Sequence, residues 1–244
     1  MKSKRWILIR GLTRSRFHWL GFDELLKKEL DLDIVECPEI PGNGYLFNER
    51  SLSSIDATVN YLRKQVGGIT EPVGLLGISM GGMIANRWAA MHPHEVEQLV
   101  LINTSSSLSP SHERLNPKNY FTILKSLMNS NAEIIETTVM NLTSNRPEKW
   151  KPHLPLLAQF QREHPVSLIN FMLQIKLSSK ADFSEKPQQP VLILTSHADH
   201  LVNMSCSLKI AEQWQMPLVV HSTAGHDLTL DDPMWVIEKI KEHS

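Results

Sequence analysis

Cysteine is scarce in this 244-residue sequence, with Cys37 and Cys206 far apart along the chain. Their spacing fits neither a zinc-binding motif nor a dithiol redox motif. We therefore expect two reduced, partly buried thiols rather than a disulfide framework or a metal site.

An excess of charge of one sign is also lacking, because 25 Lys and Arg residues face 26 Asp and Glu residues. Proteins that bind a phosphate backbone usually carry a basic excess or a basic stripe, so we predict no nucleic-acid partner. The sequence is 41% hydrophobic with a formal net charge of −1, which excludes a disordered chain of high charge.

Long apolar runs are absent as well. The longest extend over a few residues, whereas a membrane-spanning helix needs ~20. The apolar stretch Trp6–Ile9 is too short for a secretory signal, and no small-residue cleavage site follows it. We predict a cytoplasmic protein with no membrane partner.

Short apolar runs alternate with longer amphipathic segments along most of the chain. The runs are continuous, as is typical of parallel strands covered on both faces, and this alternation predicts an α/β fold built from βαβ units. The predicted strands are Trp6–Arg10, Asp33–Cys37, Val73–Ile78, Gln98–Asn103, Pro190–Thr195 and Leu218–Ser222. The predicted helices are Phe17–Leu30, Leu52–Val66, Met80–Met91, Ser205–Gln215 and Pro233–Glu242.

One region lacks any convincing strand, from Ser107 to Gln188. A structureless loop of that length is improbable in a compact domain. We predict a helical cap, residues 107–188, inserted in a core formed by residues 1–106 and 189–244. Its predicted helices are Tyr120–Asn129, Ala132–Asn141, Leu154–Glu163 and Val166–Ile175.

The strongest local motif is G-x-S-x-G at Gly77–Gly81, between an apolar strand and a predicted helix. A serine on so sharp a turn is held in a strained conformation with its hydroxyl above the sheet edge. We expect Gly77 and Gly81 to avoid collisions across the turn, and Gly82 to let the helix approach its neighbours. This context predicts that Ser79 is a nucleophile.

A serine nucleophile needs a histidine base, which in turn needs an acid to orient it. Asp199 follows one late predicted strand and His226 follows the next. Because the carboxyl ends of parallel strands share one sheet edge, Ser79, Asp199 and His226 are predicted to converge there as a catalytic triad.

At this point the sequence resembles the α/β-hydrolase superfamily, in its compact esterase-like branch with a helical cap. The resemblance covers nearly the whole chain and implies a mostly parallel sheet of about six strands, with no metal and no cofactor. Serine at the centre of the G-x-S-x-G turn, which this family calls the nucleophile elbow, argues against the dehalogenase and epoxide-hydrolase relatives, because those relatives use aspartate at this position. Besides the elbow, the matching segments are Ala198-Asp199, Leu201-Val202, Gly225-His226, Asp232-Pro233 with Trp235, and Pro41-Gly42-Asn43-Gly44.

The resemblance also implies an oxyanion hole formed by the backbone N–H groups of Leu12 and Met80. Arg10 stands where the family usually has histidine, and Glu39 stands where it often has aspartate. We hypothesise that Arg10 and Glu39 form an ion pair between adjacent loops, which would explain both departures together.

Substrate choice is expected to depend largely on the cap, because the elbow and the triad are generic. Most apolar cap residues should pack against the core, while a minority face Ser79 and line an acyl pocket. Arg14 lies at the expected rim, either on the solvated surface or as a ligand for a substrate carboxylate. The candidate substrate-binding residues are His18, Trp19, Arg14, Phe121, Met128, Phe160 and Phe171.

The sequence therefore predicts a serine hydrolase that cleaves carboxylic esters of small or medium apolar acyl groups. Thioester hydrolysis, carbon–carbon bond cleavage and elimination on the same triad remain alternatives, although Met83 stands where eliminating relatives carry arginine. A non-catalytic sensor of a small ligand is a further alternative. The expected partner is a small-molecule ester or thioester, and the expected assembly is a monomer or homodimer.

Overall fold

Six parallel strands form one sheet in the computed structural model, which describes residues 3–243. The strand order is β2-β1-β3-β4-β5-β6. Every predicted strand forms, and its ends differ from the prediction by at most two residues. The strands are β1 (Arg5–Ile9), β2 (Ile34–Glu36), β3 (Val73–Ile78), β4 (Val96–Ile102), β5 (Val191–Ser196) and β6 (Leu218–His221).

Helices cover both faces of this sheet. The α-helices in residues 3–243 are α1 (Phe22–Glu29), α2 (Ile55–Gln65), α3 (Met80–Met91), α4 (Ser111–Arg114), α5 (Tyr120–Leu127), α6 (Ala132–Thr143), α7 (Pro147–Trp150), α8 (Leu154–Glu163), α9 (Leu168–Ser179), α10 (Ser205–Trp214), α11 (Leu228–Asp231) and α12 (Pro233–Glu242). Short 3-10 helices occur at Arg16–Trp19, Gly44–Leu46, Pro93–Glu95, Pro117–Asn119 and Lys151–His153.

The continuous apolar character of the strands follows from burial on both faces. Ile7 and Ile9 of β1 pack with α2, α3 and α10, while Trp6 and Leu8 of the same strand pack with α1 and α12. Every residue of β3 is buried. A strand between two helical layers has no solvent-facing side, which favours apolar residues along its whole length.

One predicted helix is wrong in part, because Phe17–Leu30 is two elements rather than one. The 3-10 helix ends at Trp19, and the next two residues, Leu20 and Gly21, have φ values of 50° and 89°. These left-handed conformations interrupt helical hydrogen bonding, and α1 begins only at Phe22.

The segment between β4 and β5 is helical, as the sequence predicts, and it contains α4 to α9. It is joined to the strand-bearing part by buried polar contacts. The side-chain amide of Gln174 in α9 donates to Asn43 Oδ1 at 2.7 Å and accepts from the Thr13 backbone N–H at 2.9 Å. Where α6 ends, the Asn145 backbone N–H donates to Asp231 Oδ2 at 2.8 Å. The division into a 107–188 cap and a two-part core remains a prediction.

None of the helices in residues 3–243 combines the length and the apolar character needed to cross a membrane.

Candidate active site

Ser79 occupies a strained turn between β3 and α3. Its backbone angles, φ 56° and ψ −119°, lie outside the regions that a non-glycine residue normally occupies. Its N–H donates to the Ile102 carbonyl at 2.9 Å, which attaches the turn to the end of β4. Because α3 begins at the next residue, Met80, the positive end of the helix dipole lies beside the serine.

The glycines of the motif are required by close backbone approaches. A Cβ atom at Gly77 would lie 2.4 Å from the Gly81 carbonyl oxygen, and one at Gly81 would lie 2.1 Å from the Ile9 carbonyl oxygen. At Gly82 the added atom would lie 2.9 Å from the Thr104 side chain. The structure thus confirms the steric reasons given for Gly77 and Gly82, whereas the collision avoided at Gly81 is with the end of β1 rather than across the turn.

Asp199 and His226 meet as the sequence predicts. Asp199 Oδ2 lies 2.6 Å from His226 Nδ1, and both side chains are almost completely buried. The other carboxylate oxygen of Asp199 accepts from the backbone N–H groups of Leu201 and Val202 at 2.8 and 3.0 Å. These two bonds fix the carboxylate, and the contact between Oδ2 and His226 Nδ1 orients the imidazole.

The loop that carries His226 is held from two directions. Asn103 at the end of β4 donates its side-chain amide to the His226 carbonyl at 2.8 Å. The Asp227 N–H donates to the Thr143 carbonyl of α6 at 2.7 Å. The imidazole is therefore positioned by both the sheet edge and the helical segment.

Ser79 and His226 line one cavity of about 510 Å³. Leu12 and Met80, the residues predicted to form the oxyanion hole, line it too. A Cβ atom at Gly11 would lie 3.3 Å from Ser79 Cβ, so the segment after β1 passes directly against the serine. The geometry brings together a hydroxyl, an imidazole with its acid, and two backbone segments, which is the set that acyl transfer requires.

The hypothesis of an Arg10–Glu39 ion pair is wrong. Arg10 instead forms a two-pronged ion pair with Asp227, with nitrogen–oxygen distances of 2.6 and 3.2 Å. Glu39 accepts from the Arg16 backbone N–H at 3.3 Å, and its burial raises its pKa to about 7. The pairing differs because the Arg10 side chain points toward the loop after β6, which carries Asp227, rather than toward Glu39 in the segment after β2.

Arg14 is buried rather than on the solvated surface, and it lines the cavity as the partner of an acid. Its Nη1 contacts both carboxylate oxygens of Glu136 in α6, at 3.0 and 2.9 Å, and both side chains are buried in the cavity wall. Arg114, a cavity residue that the sequence prediction omitted, donates to Ser105 Oγ and to the carbonyls of Ser178 and Ser179.

Five of the seven candidate substrate-binding residues lie outside the cavity lining, and three of these five are buried elsewhere in the structure. His18 is buried, with its Nδ1 accepting from the Ser15 N–H at 3.0 Å, and burial lowers its pKa, helped by Arg14. The Trp19 ring packs against the Arg10 guanidinium at 4.7 Å. Phe160 stacks on another phenylalanine ring, with 4.3 Å between the ring centres.

The aromatic and methionine candidates in the helical segment divide between cavity and solvent. Phe171 of α9 lines the cavity, as expected. Phe121 and Met128 do not, since they are 76% and 77% exposed. The opposite side of α5 faces the cavity instead, through Ile123 and Leu127. Their spacing of four residues is the signal for a shared helix face, but Phe121 and Met128 gave α5 a second apolar face.

A family model described as alpha/beta hydrolase fold matches residues 7–152. Human monoacylglycerol lipase ABHD6 is 23% identical over 93% of this chain and 71% of its own length. Monoacylglycerol lipase abhd6-B of Xenopus laevis is 28% identical over 43% of this chain, and the match spans 31% of that relative.

Solved structures share the fold at low sequence identity. A membrane phospholipase A, described as a bacterial virulence factor, superposes with a TM-score of 0.79 at 19% identity, over 99% of this chain and 78% of its own. A thermophilic esterase from Thermogutta terrifontis superposes with a TM-score of 0.73 at 18% identity, and the match covers 100% of this chain and 92% of the esterase. A meta-cleavage product hydrolase from Pseudomonas fluorescens superposes with a TM-score of 0.75 at 17% identity, and the match covers 100% of this chain and 92% of the hydrolase.

Proposed function

The chain belongs to the alpha/beta hydrolase fold family, and on that basis we propose that it is a serine hydrolase of carboxylic esters. One observation carries the proposal: His226, which contacts Asp199 at 2.6 Å, lines the same cavity as Ser79. Relatives named as lipases and esterases support hydrolysis as the reaction class.

In the proposed mechanism, His226 accepts the Ser79 proton as the serine oxygen attacks the substrate carbonyl carbon. The bond between Asp199 and Nδ1 keeps Nε2 as the basic nitrogen and stabilises the imidazolium. His226 then protonates the leaving alcohol, which departs and leaves an acyl-serine. Water, activated by the same histidine, releases the acid and restores Ser79.

The oxyanion of the tetrahedral intermediate would accept hydrogen bonds from the Leu12 and Met80 backbone N–H groups. A lost donor in a comparable site costs about 3–4 kcal/mol of transition-state stabilisation. The position of Gly11 against Ser79 supports this pair, because it brings the Leu12 segment to the nucleophile. Backbone donors also explain why Arg10 can replace the family's usual histidine without removing the hole.

The cavity supports a small or medium acyl group of mainly apolar character. Its wall includes Leu12, Ile123, Leu127, Phe171 and Ile175. Two of its arginines are neutralised by acids, Arg10 by Asp227 and Arg14 by Glu136. Arg114 contacts only neutral oxygens, so its positive charge is not neutralised by an acid. A substrate with a weakly acidic group could therefore bind in this cavity beside Arg114.

Covalent labelling with a fluorophosphonate tests the proposal. We expect the wild-type protein to gain the mass of one phosphonyl group on the peptide that contains Ser79. Ser79→Ala should gain none, and Asp199→Asn should react at least about 100-fold more slowly, because the histidine loses its correct tautomer. Folded wild-type protein that stays unlabelled would contradict the proposal and favour a non-catalytic ligand sensor.

A further inference from the structure

A second carboxylate stands next to the proposed base. Asp227 follows His226 directly and lines the same cavity, yet the imidazole is hydrogen-bonded to Asp199. Two acids beside one histidine would both stabilise the imidazolium, whereas a triad uses one. Asp227 has no role in the proposed mechanism. The groups around Asp227 show how its charge is balanced.

Arg10 neutralises Asp227 through both carboxylate oxygens, with the Nη2–Oδ2 distance at 2.6 Å and Nη1–Oδ1 at 3.2 Å. The Thr229 hydroxyl donates to the same carboxylate at 2.9 Å. Burial by itself raises the pKa of Asp227, but Arg10 and then Thr229 hold it below its ordinary value. The pair is therefore ionised and internally compensated.

The ion pair also connects two loops of the site. Arg10 comes directly before Gly11 and Leu12, the segment that passes against Ser79, and Asp227 comes directly after His226. Both side chains are almost fully buried, and the Trp19 ring covers the guanidinium. A bidentate pair in such surroundings fixes the relative position of the loops that bear it.

Resting on the proposed function, we propose that Arg10 is a positioning residue that acts on His226 through Asp227. It cancels the charge of the second carboxylate, so that Asp199 is the one uncompensated carboxylate that contacts the imidazole. It also holds the loop of the base against the oxyanion segment.

The electrostatic consequence has a definite sign. Removing the charge of Asp227 leaves Arg10 as an uncompensated cation near the imidazole, which disfavours the imidazolium. Removing Arg10 as well abolishes that effect. The other charged groups that contact the imidazole or share its cavity are Asp199 after β5, Arg14 after β1, Glu136 on α6 and Arg114 on α4, and they are unchanged in these variants.

The test measures the titration midpoint of the His226 imidazole by NMR with carbon-13-labelled histidine, assigned by the loss of its signal in His226→Gln. We expect Asp227→Asn to lower this midpoint by about half to one pH unit. The double variant Arg10→Met/Asp227→Asn should recover more than half of that shift. Asp56→Asn, which breaks the exposed Asp56–Arg87 pair, is the matched control and should leave the midpoint unchanged.

A second comparison remains available where Asp227→Asn does not fold. Arg10→Lys keeps the cation and should keep the wild-type midpoint, whereas Arg10→Met should raise it. Equal midpoints in wild type and either neutralised variant, or no recovery in the double variant, would overturn the inference. The NMR readout needs no catalysis, so absent fluorophosphonate labelling counts against the proposed function and not against this electrostatic coupling.

In active enzyme the acidic limb of the pH profile of kcat/KM should shift in the same direction as the NMR midpoint, down in Asp227→Asn and up in Arg10→Met. A purely structural role of the ion pair predicts lower thermal stability for both single variants, without these opposite shifts of the acidic limb.

Discussion

Ser79 has a backbone conformation that costs energy and that its neighbours impose. A non-glycine residue at φ 56° and ψ −119° costs roughly 1–3 kcal/mol, so the surrounding contacts must enforce it. The glycines provide the space: α3 starts against the end of β1 because Gly81 has no side chain. The strained conformation of Ser79 is thus maintained by neighbouring residues that lack a side chain.

Gly81→Ala should lower the free energy of unfolding by about 3 kcal/mol, because its Cβ would overlap the Ile9 carbonyl and neither backbone can move freely. Urea denaturation measures the effect. Gly68→Ala is the control, since no heavy atom lies within 4 Å of its added Cβ, and it should change stability by less than about 1 kcal/mol. Equal losses in the two variants would contradict the steric account.

The sequence allowed the chain order of Ser79, Asp199 and His226 to be predicted, because each follows a recognisable strand. The partner of Arg10 could not be predicted. Arg10 and Asp227 are 217 positions apart, and nearby Glu39 offered the same charge. The acid with which an arginine pairs depends on how loops from distant strands pack together. That packing cannot be predicted from the local sequence around the arginine.

At the scale of elements, α5 shows why the cavity-lining residues were only partly predicted. Ile123 and Leu127 line the cavity, while Phe121 on the same helix and Met128, directly after its end, are mostly exposed. Periodicity identifies a face only when the opposite side is polar. Because both sides of α5 are apolar, the choice between them is made by tertiary packing.

The attachment of α9 is more specific, since it depends on a buried amide. Gln174 is completely buried and bonded to the Thr13 N–H, Asn43 Oδ1 and Ser51 Oγ at 2.9, 2.7 and 3.0 Å. A single side chain thus satisfies polar groups from two separate loops. Such a network is stabilising only while all of its members are paired.

Gln174→Met should therefore destabilise the protein by about 2–3 kcal/mol, because a thioether of similar size can neither accept well from the Thr13 N–H nor donate to Asn43 Oδ1. Thermal or chemical denaturation measures the loss. The matched control is Gln159→Met on the exposed side of α8, where we expect a change within about 0.5 kcal/mol. If both variants unfold alike, the buried amide is not what attaches α9.

At the scale of the whole molecule, the strand order assembles the site. Because β1 and β3 are neighbours, the segment with Gly11 and Leu12 meets Ser79. The pairing of β5 with β6 likewise brings Asp199 to His226. All strands are parallel, so these loops leave the sheet at one edge, where ligands of open α/β sheets collect. The continuous apolar runs made this architecture predictable, and the architecture places Asp199 and His226 at the same edge of the sheet.

The most direct test of the central claim is the detection of an acyl-enzyme on Ser79. Nitrophenyl esters of increasing acyl length, with matching thioesters alongside, would be mixed with the protein, and the acyl mass sought on the Ser79 peptide after rapid acid quenching. We predict a burst of nitrophenol, an acylated Ser79 peptide, and loss of both in Ser79→Ala. Ester hydrolysis that persists in Ser79→Ala at the wild-type rate would contradict the account.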